Sequence, residues 1–523
     1  MTAIAKRDSE LAGFDAERML RDVRRTVSVV DRTLAGFSDE PVSAYVESLR
    51  PNPTQSFQPR DDFFQLAKEK AEPVLGDRAD DLAAELERVP AVLTANHHGV
   101  DYFAQSVQGT LLFSLARRPD GQPRRTVPVL ACAAVPLDNI TYPLGMLLYG
   151  LCSDHAVSAL PVRFPIFANR VRRTLVSAAD GFDAALAERA IDRLQKAEIG
   201  GQIEPTIARA ASDVVASFYL RDDVLALPRY VDQSMAVNSA VWQRMFTSDA
   251  AAPALACLEF EDMAASLAIA DLANPKSLLY ELLFDAGACE FVFETLDEQR
   301  ACWSRAALAA RLEGDHKGSK GGTVFFWGVS DKGRRVPLTL SDGGTLLIGC
   351  DTQGERWEVS LTPDALQEGL ANRTLLPSLF TAFTVIGIAR GIACLGAYFQ
   401  AQYLPIMQQT ICRALARGAN PSRGIDAVSG VSTDGYLGGM QLVGHSFGDR
   451  GIVPAGPIEI IAGGGLGPDD LERMSRTSVG DAHLASLFDT ITDVGLAPTL
   501  EPHWREALAD QLQTLLPSTF CRK

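Results

Sequence analysis

Apolar positions three and four apart, set among charges, run through residues 10–50 and 62–88, with Phe64, Leu66, Ala67, Val74 and Leu75 typical of the second stretch. That spacing predicts helices with one buried face. Between the two stretches, Leu49-Arg50-Pro51-Asn52-Pro53-Thr54 interrupts the pattern. Residues 1–88 are therefore expected to form a helical layer covering the next part of the chain.

The pattern changes at Ala91-Val92-Leu93-Thr94-Ala95, a short apolar run of strand length. A helix-like stretch over 102–115 comes next, then a second strand-like run over 127–133. Strand, helix and strand at this spacing predict a parallel βαβ unit, with a third candidate strand over 157–162. Residues 171–312 read as helix punctuated by Pro205, Pro228, Pro253 and Pro275, although Pro253-Ala254-Leu255-Ala256-Cys257-Leu258 also suits a short strand.

Four short runs come after these, over 323–328, 335–340, 345–350 and 356–361, separated by turns at Gly333, Gly343-Gly344 and Gly354. This predicts an antiparallel meander. Thr362-Pro363-Asp364 is a helix start, with Thr as cap and Pro at the first helical position. The greasy stretch from Leu375 to Ala389, ended by Arg390, is too short to span a bilayer and reads as a buried helix. The C-terminal part is Gly-rich up to Gly467-Pro468 and helical beyond.

The fold class expected is mixed α/β, built from a parallel βαβ core, a large helical segment and an antiparallel meander. Its segments are a helical layer (1–88), the core with a candidate site (89–170), a helical segment (171–321), the meander (322–361) and a helical, Gly-rich C-terminal part (362–523). A chain of 523 residues exceeds what one core usually supports.

Composition narrows the function classes without choosing among them. Hydrophobic residues make up 47% and charged residues 22%, as in ordinary globular proteins. The net charge of −16 is spread along the chain, which repels phosphate backbones and argues against nucleic-acid binding. The nine cysteines form no C-x-x-C pair, and most have apolar neighbours, as buried thiols do in a reducing compartment. The N-terminus turns charged at Lys6-Arg7-Asp8 and lacks the pattern of a secretory signal. A cytoplasmic protein without a membrane span is expected.

The leading candidate for chemistry is Asn96-His97-His98-Gly99-Val100-Asp101, at the carboxyl end of the first strand. Ligands of open parallel sheets bind there. If the chain turns helical at His97, Asp101 shares its face and can orient the ring for general-base work, with His98 as a further titratable group. Glycerolipid acyltransferases and peptide-synthetase condensation domains use nearby histidine–aspartate patterns. Asp101 falls one position early for both, and Tyr102 stands in its place. One residue turns a helical side chain by about 100°, so neither family is assigned.

Other groups fill supporting roles. Asn139 and Tyr142, just past the second strand, are expected to line the same cleft. Lys317 and Lys320, in a Gly-rich stretch without P-loop order, and Arg390 are candidates to hold a carboxylate or phosphate. Gln400 and Tyr403 are polar groups in an apolar setting, as pocket linings are. Gly444-His445-Ser446-Phe447-Gly448 matches a nucleophile elbow literally, but the Gly- and Pro-containing stretch after it cannot be the helix an elbow requires. No motif names a cofactor.

The expectation is group transfer or amide formation on a small, anionic metabolite, with His97 as base. The competing readings are a metal-dependent hydrolase using His97, His98 and Asp101, and a non-catalytic binding protein.

Overall fold

Short apolar runs become strands where both their faces can be covered, and the computed structural model shows this along the chain. It describes residues 14–51, 56–149, 161–315, 321–418, 424–446 and 451–523. In chain order, β1 (Ala91–Leu93) and β2 (Thr126–Ala131) precede a hairpin of β3 (Gly145–Leu148) and β4 (Val162–Pro165), and then β5 (Ala254–Glu259). Strands β6 (Phe326–Val329), β7 (Arg335–Leu340), β8 (Leu346–Cys350) and β9 (Arg356–Ser360) form the expected meander, with β10 (Leu375–Pro377) added beside β6. Strands β11 (Ala393–Ala397) and β12 (Tyr436–Gly438) return to the first sheet, and β13 (Val443–Ser446), β14 (Ile452–Pro454) and β15 (Cys521–Arg522) make a small third one.

The central sheet has the order β12-β11-β1-β2-β5, and every pairing is parallel. Its strands alternate between two cores, as a period of two requires. Leu93, Val129, Cys257 and Leu395 face one core, while Val92, Leu130, Leu258 and Cys394 face the other. Both faces are covered, which is why these strands read as unbroken apolar runs. Residues 16–46 cover the first face and residues 63–86 the second, so the N-terminal helices clasp the sheet from both sides.

Helix α1 (Ala104–Ser114) makes the crossover from β1 to β2 and is buried along nearly its whole length. Small residues suit that position: Gly109 lies against the backbone of Gly438 in β12, where a Cβ would stand 3.6 Å from its Cα. Its buried amide, Gln108, bonds Val443 O and Ala455 O through Nε2, and accepts from Leu442 N and Val443 N. One polar side chain thereby satisfies four backbone groups at the end of β13. Helices α2 (Tyr230–Arg244), α3 (Phe260–Leu272) and α4 (Gln400–Leu415) complete the surroundings of the site.

Two expectations need correction. The third strand expected over 157–162 lies mostly outside the described residues, and Val162–Pro165 pairs antiparallel with β3 instead of joining the parallel sheet. The buried helix expected from Leu375 begins as β10, a strand at the sheet's edge, where Pro377 has no ladder donor to lose. Helix starts only at Leu379. The segment at 253–258, suited to either state, is β5. Among the described residues, no helix is long and apolar enough to cross a membrane.

Candidate active site at the carboxyl ends of the parallel strands

A cleft of about 690 Å³ opens where β1, β2, β5 and β11 end. His97, Cys132 and Asn139 line one side, Phe260 and Glu261 another, and Gln400 and Tyr403 of α4 a third. Arg335 of β7 and Arg300, from the loop before Trp303, bring positive charge to it.

Pairing between β1 and β2 continues past the regular strands. The His98 N–H donates to Cys132 O at 2.7 Å, and the Cys132 N–H donates to Asn96 O at 2.9 Å. His97 therefore stands beside Cys132 in a parallel bridge. The chain then bends at Gly99, whose φ of +113° suits glycine, and a Cβ there would meet the Pro143 Cβ at 2.7 Å. Residues four apart on α2 hold the bend. Tyr230 Oη accepts from Val100 N at 3.2 Å and donates to Pro143 O at 2.8 Å. Ser234 stands 3.0 Å from His98 Nδ1. Asn238 donates to Gly99 O and accepts from Asp101 N, both at 2.8 Å.

The state of the His97 ring is set by its neighbours. Its Nδ1 is 2.7 Å from Asn139 Oδ1, an oxygen that also faces the Thr141 N–H at 3.5 Å. A backbone N–H only donates, so this atom is the amide's oxygen, and Nδ1 must carry the ring proton. Nε2 then keeps the lone pair, and no described residue bonds it. Burial, with a contribution from Arg335, holds the His97 pKa below the ordinary histidine value despite the Asn139 bond. The ring is neutral at pH 7, with a nitrogen able to accept a proton.

Asp101 does not orient His97, contrary to the expectation. Its carboxylate accepts from Asn96 Nδ2 at 2.9 Å, from Phe103 N at 3.1 Å and from Ser106 Oγ at 2.6 Å. The bend at Gly99 delays the helix to Ala104, so the four-residue spacing never falls on one helical face. Asn139 takes the orienting role instead. His98 is wholly buried, with Nδ1 accepting from Gly99 N at 3.0 Å, and burial pushes its pKa down to about 3. It does not line the cleft. His97, His98 and Asp101 thus diverge, and among the described residues no group of three or more His, Cys, Asp or Glu side chains is arranged to hold a metal ion.

The remaining candidates divide. Gln400 reaches the cleft's wall, accepting from Thr94 Oγ1 at 3.0 Å and donating to Cys394 O at 2.9 Å, and Tyr403 lines the same cleft. Tyr142 packs beneath Arg163, with the guanidinium 5.1 Å from its ring centre, and is not part of the cleft lining. Arg390 is 1% exposed and bonded to Asp62, Asp271 and Val385 O, which leaves it unable to hold a substrate. Lys317 and Lys320 lie outside the described residues. Ser446 ends β13, which pairs antiparallel with β14, and among the described residues it is a strand, not a helix, that comes next.

Four groups in the cleft escaped the sequence reading: Cys132, Glu261, Arg300 and Arg335. Arg335 stacks over Trp327 with its guanidinium carbon 4.6 Å from the ring centre, and donates to Ala134 O at 3.1 Å. Arg300 lies 3.6 Å over the Phe399 ring. Its loop carries Glu298 and Ala301 at φ of 61° and 65°, a strained backbone of the kind that gathers at functional sites. Cys132 stands beside His97 across the bridge between the two strands. Its thiol donates to Glu261 Oε1 at 2.9 Å, and burial and Glu261 push its pKa well up. It is held as a thiol, a poor nucleophile.

Comparison with models of known protein families, with curated proteins and with solved structures finds no match.

Proposed function

We propose that this protein is a group-transfer enzyme in which His97 is the general base for a small, anionic metabolite bound in the cleft. The observation that carries this reading is the Asn139–His97 hydrogen bond, which leaves Nε2 deprotonated and unpartnered beside a cleft of about 690 Å³. Arg335 and Arg300 supply the charge to hold a carboxylate or phosphate, and they replace Lys317, Lys320 and Arg390 in that role. His97 Nε2 takes a proton from the attacking group and returns it to the leaving group. A neutral amide orients the ring, so the imidazolium gains no charge partner from Asn139 and gives its proton back readily. The cysteines described are free thiols, which fits a reducing, cytoplasmic setting.

The test is a mass-spectrometric screen of metabolite mixtures incubated with wild-type protein, with His97→Gln as the control. Turnover of one metabolite pair is expected, falling about 10²–10⁴-fold in the variant. The melting temperature should be unchanged. Equal turnover by a folded His97→Gln protein overturns the assignment.

A further inference from the structure

Behind His97 lies a second, much smaller cavity of about 30 Å³. Among the described residues, His97 is the only one that lines both this chamber and the cleft. A single water needs about 10–15 Å³, so the chamber admits about two heavy atoms. Val107, Val129, Val241, Trp242 and Leu255 make most of its wall apolar.

Two polar groups in that wall are incompletely answered. Asn96 is 5% exposed, and its Nδ2 donates to Asp101 at 2.9 Å and to Thr110 Oγ1 at 3.1 Å. Those bonds identify the other amide atom as the oxygen, and Asn96 Oδ1 is buried with no partner. Asp101 accepts three kinds of neutral donor, and no cation pairs with it among the described residues. A buried acceptor and a buried carboxylate without a counter-charge are each costly unless something completes them.

We propose that this chamber seats the nitrogen of the second substrate, a primary amine, so that the reaction is amide formation. This rests on the assignment of His97 as base. A hydroxyl offers one hydrogen, which cannot serve Asn96 Oδ1 and a base together. Water offers two but no charge to answer Asp101. An ammonium group offers three hydrogens and the missing positive charge. Its first proton passes to the Asp101 carboxylate, which leaves a neutral amine bonded to Asn96; Asp101 gives that proton to solvent after product release, so the net reaction liberates one proton. The nitrogen lone pair attacks the carbonyl carbon of an activated anionic acyl donor, a thioester or acyl phosphate, in the larger cleft. The N–C bond forms and the C–S or C–O bond breaks. His97 Nε2 takes one N–H proton and returns it to the departing thiolate or phosphate. The chamber has room for the nitrogen and the carbon that bears it, with the rest of the amine outside.

The probe is carbon-13-labelled methylammonium, titrated against the full chain at neutral pH and followed by NMR. Saturation is expected with Kd on the order of 10 mM, near the ceiling for a ligand of two heavy atoms. Val241→Phe, which fills the chamber, should abolish saturation, and Asp101→Asn should weaken it about tenfold or more. Methanol and tetramethylammonium should not saturate. Equal saturation by methanol would make the chamber a seat for water or hydroxyl. Saturation that survives Val241→Phe would place the site elsewhere, and none by about 0.2 M would make the chamber a packing gap. Each of these overturns the proposal. The probe reads the seat and not the base, so its failure leaves the His97→Gln comparison standing, and the reverse also holds.

Discussion

The tautomer of His97 can be measured without a substrate. In the wild-type protein the neutral ring should carry its proton on Nδ1, because Asn139 Oδ1 meets that nitrogen at 2.7 Å, much closer than the Thr141 hydroxyl at 3.5 Å. Asn139→Leu keeps roughly the volume and removes that acceptor. A net hydrogen bond of about 1 kcal/mol corresponds to a factor of about five in an equilibrium, so the ratio of Nδ1–H to Nε2–H should fall about fivefold. The same change should lower the His97 pKa further, since the Asn139 bond raises it. Two-dimensional nitrogen–proton NMR on histidine-labelled protein reads both quantities across a pH titration. Nε2–H as the dominant form in the wild type, or a tautomer ratio indifferent to Asn139→Leu, would refute the placement of the lone pair and with it the basis for the proposed mechanism.

Further expectations concern charge, strain and the rejected elbow. Activity should persist below the ordinary histidine pKa of 6.5 and fall as pH drops through the depressed His97 value. Arg335→Met should move that acid limb upward, because Arg335 lowers the pKa, and should raise KM for an anionic substrate. A pH–rate profile checks both. Arg390→Met should cost about 3–5 kcal/mol in denaturant unfolding, because it strands the carboxylate of Asp271, and adding Asp271→Leu should recover most of it. Gly99→Ala should destabilise by about 1–3 kcal/mol through its φ alone, measured in the same way, and the contact with Pro143 adds to this. Ser446→Ala should leave kcat/KM unchanged, since Ser446 ends a strand that pairs antiparallel with β14 and does not line the cleft.

Periodicity made the parallel core and the meander legible, because strands buried on both faces and turns punctuated by glycine leave local signals. The candidate loop was legible too, since three titratable residues after an apolar strand are conspicuous. Its internal wiring was not. Whether Asp101 meets His97 depends on a bend at Gly99 that is held by Tyr230, Ser234 and Asn238, more than a hundred positions away. A polar stripe four residues apart on a buried helix was the one local hint. Asn139 stood in view, but only as a pocket lining. Cys132 looked like an ordinary small hydrophobe, and the approach of Glu261, from a helix far along the chain, is what holds its thiol. Arg335 had no signal of its own, because the meander's placement against the sheet decides what it faces.

The grip of α2 on the 98–101 bend has a consequence for folding and turnover. The backbone bonds that shape the site join segments far apart in sequence, so they close only after α2 docks on the sheet. A chain that has formed β1 and α1 alone therefore has His97 in place along the sequence but not in position. The amides of Val100 and Asp101, whose acceptors belong to Tyr230 and Asn238, can exchange with solvent only when that helix lets go, as members of one cooperative unit. Competence for the proposed chemistry and completion of this part of the fold would then arrive in the same step.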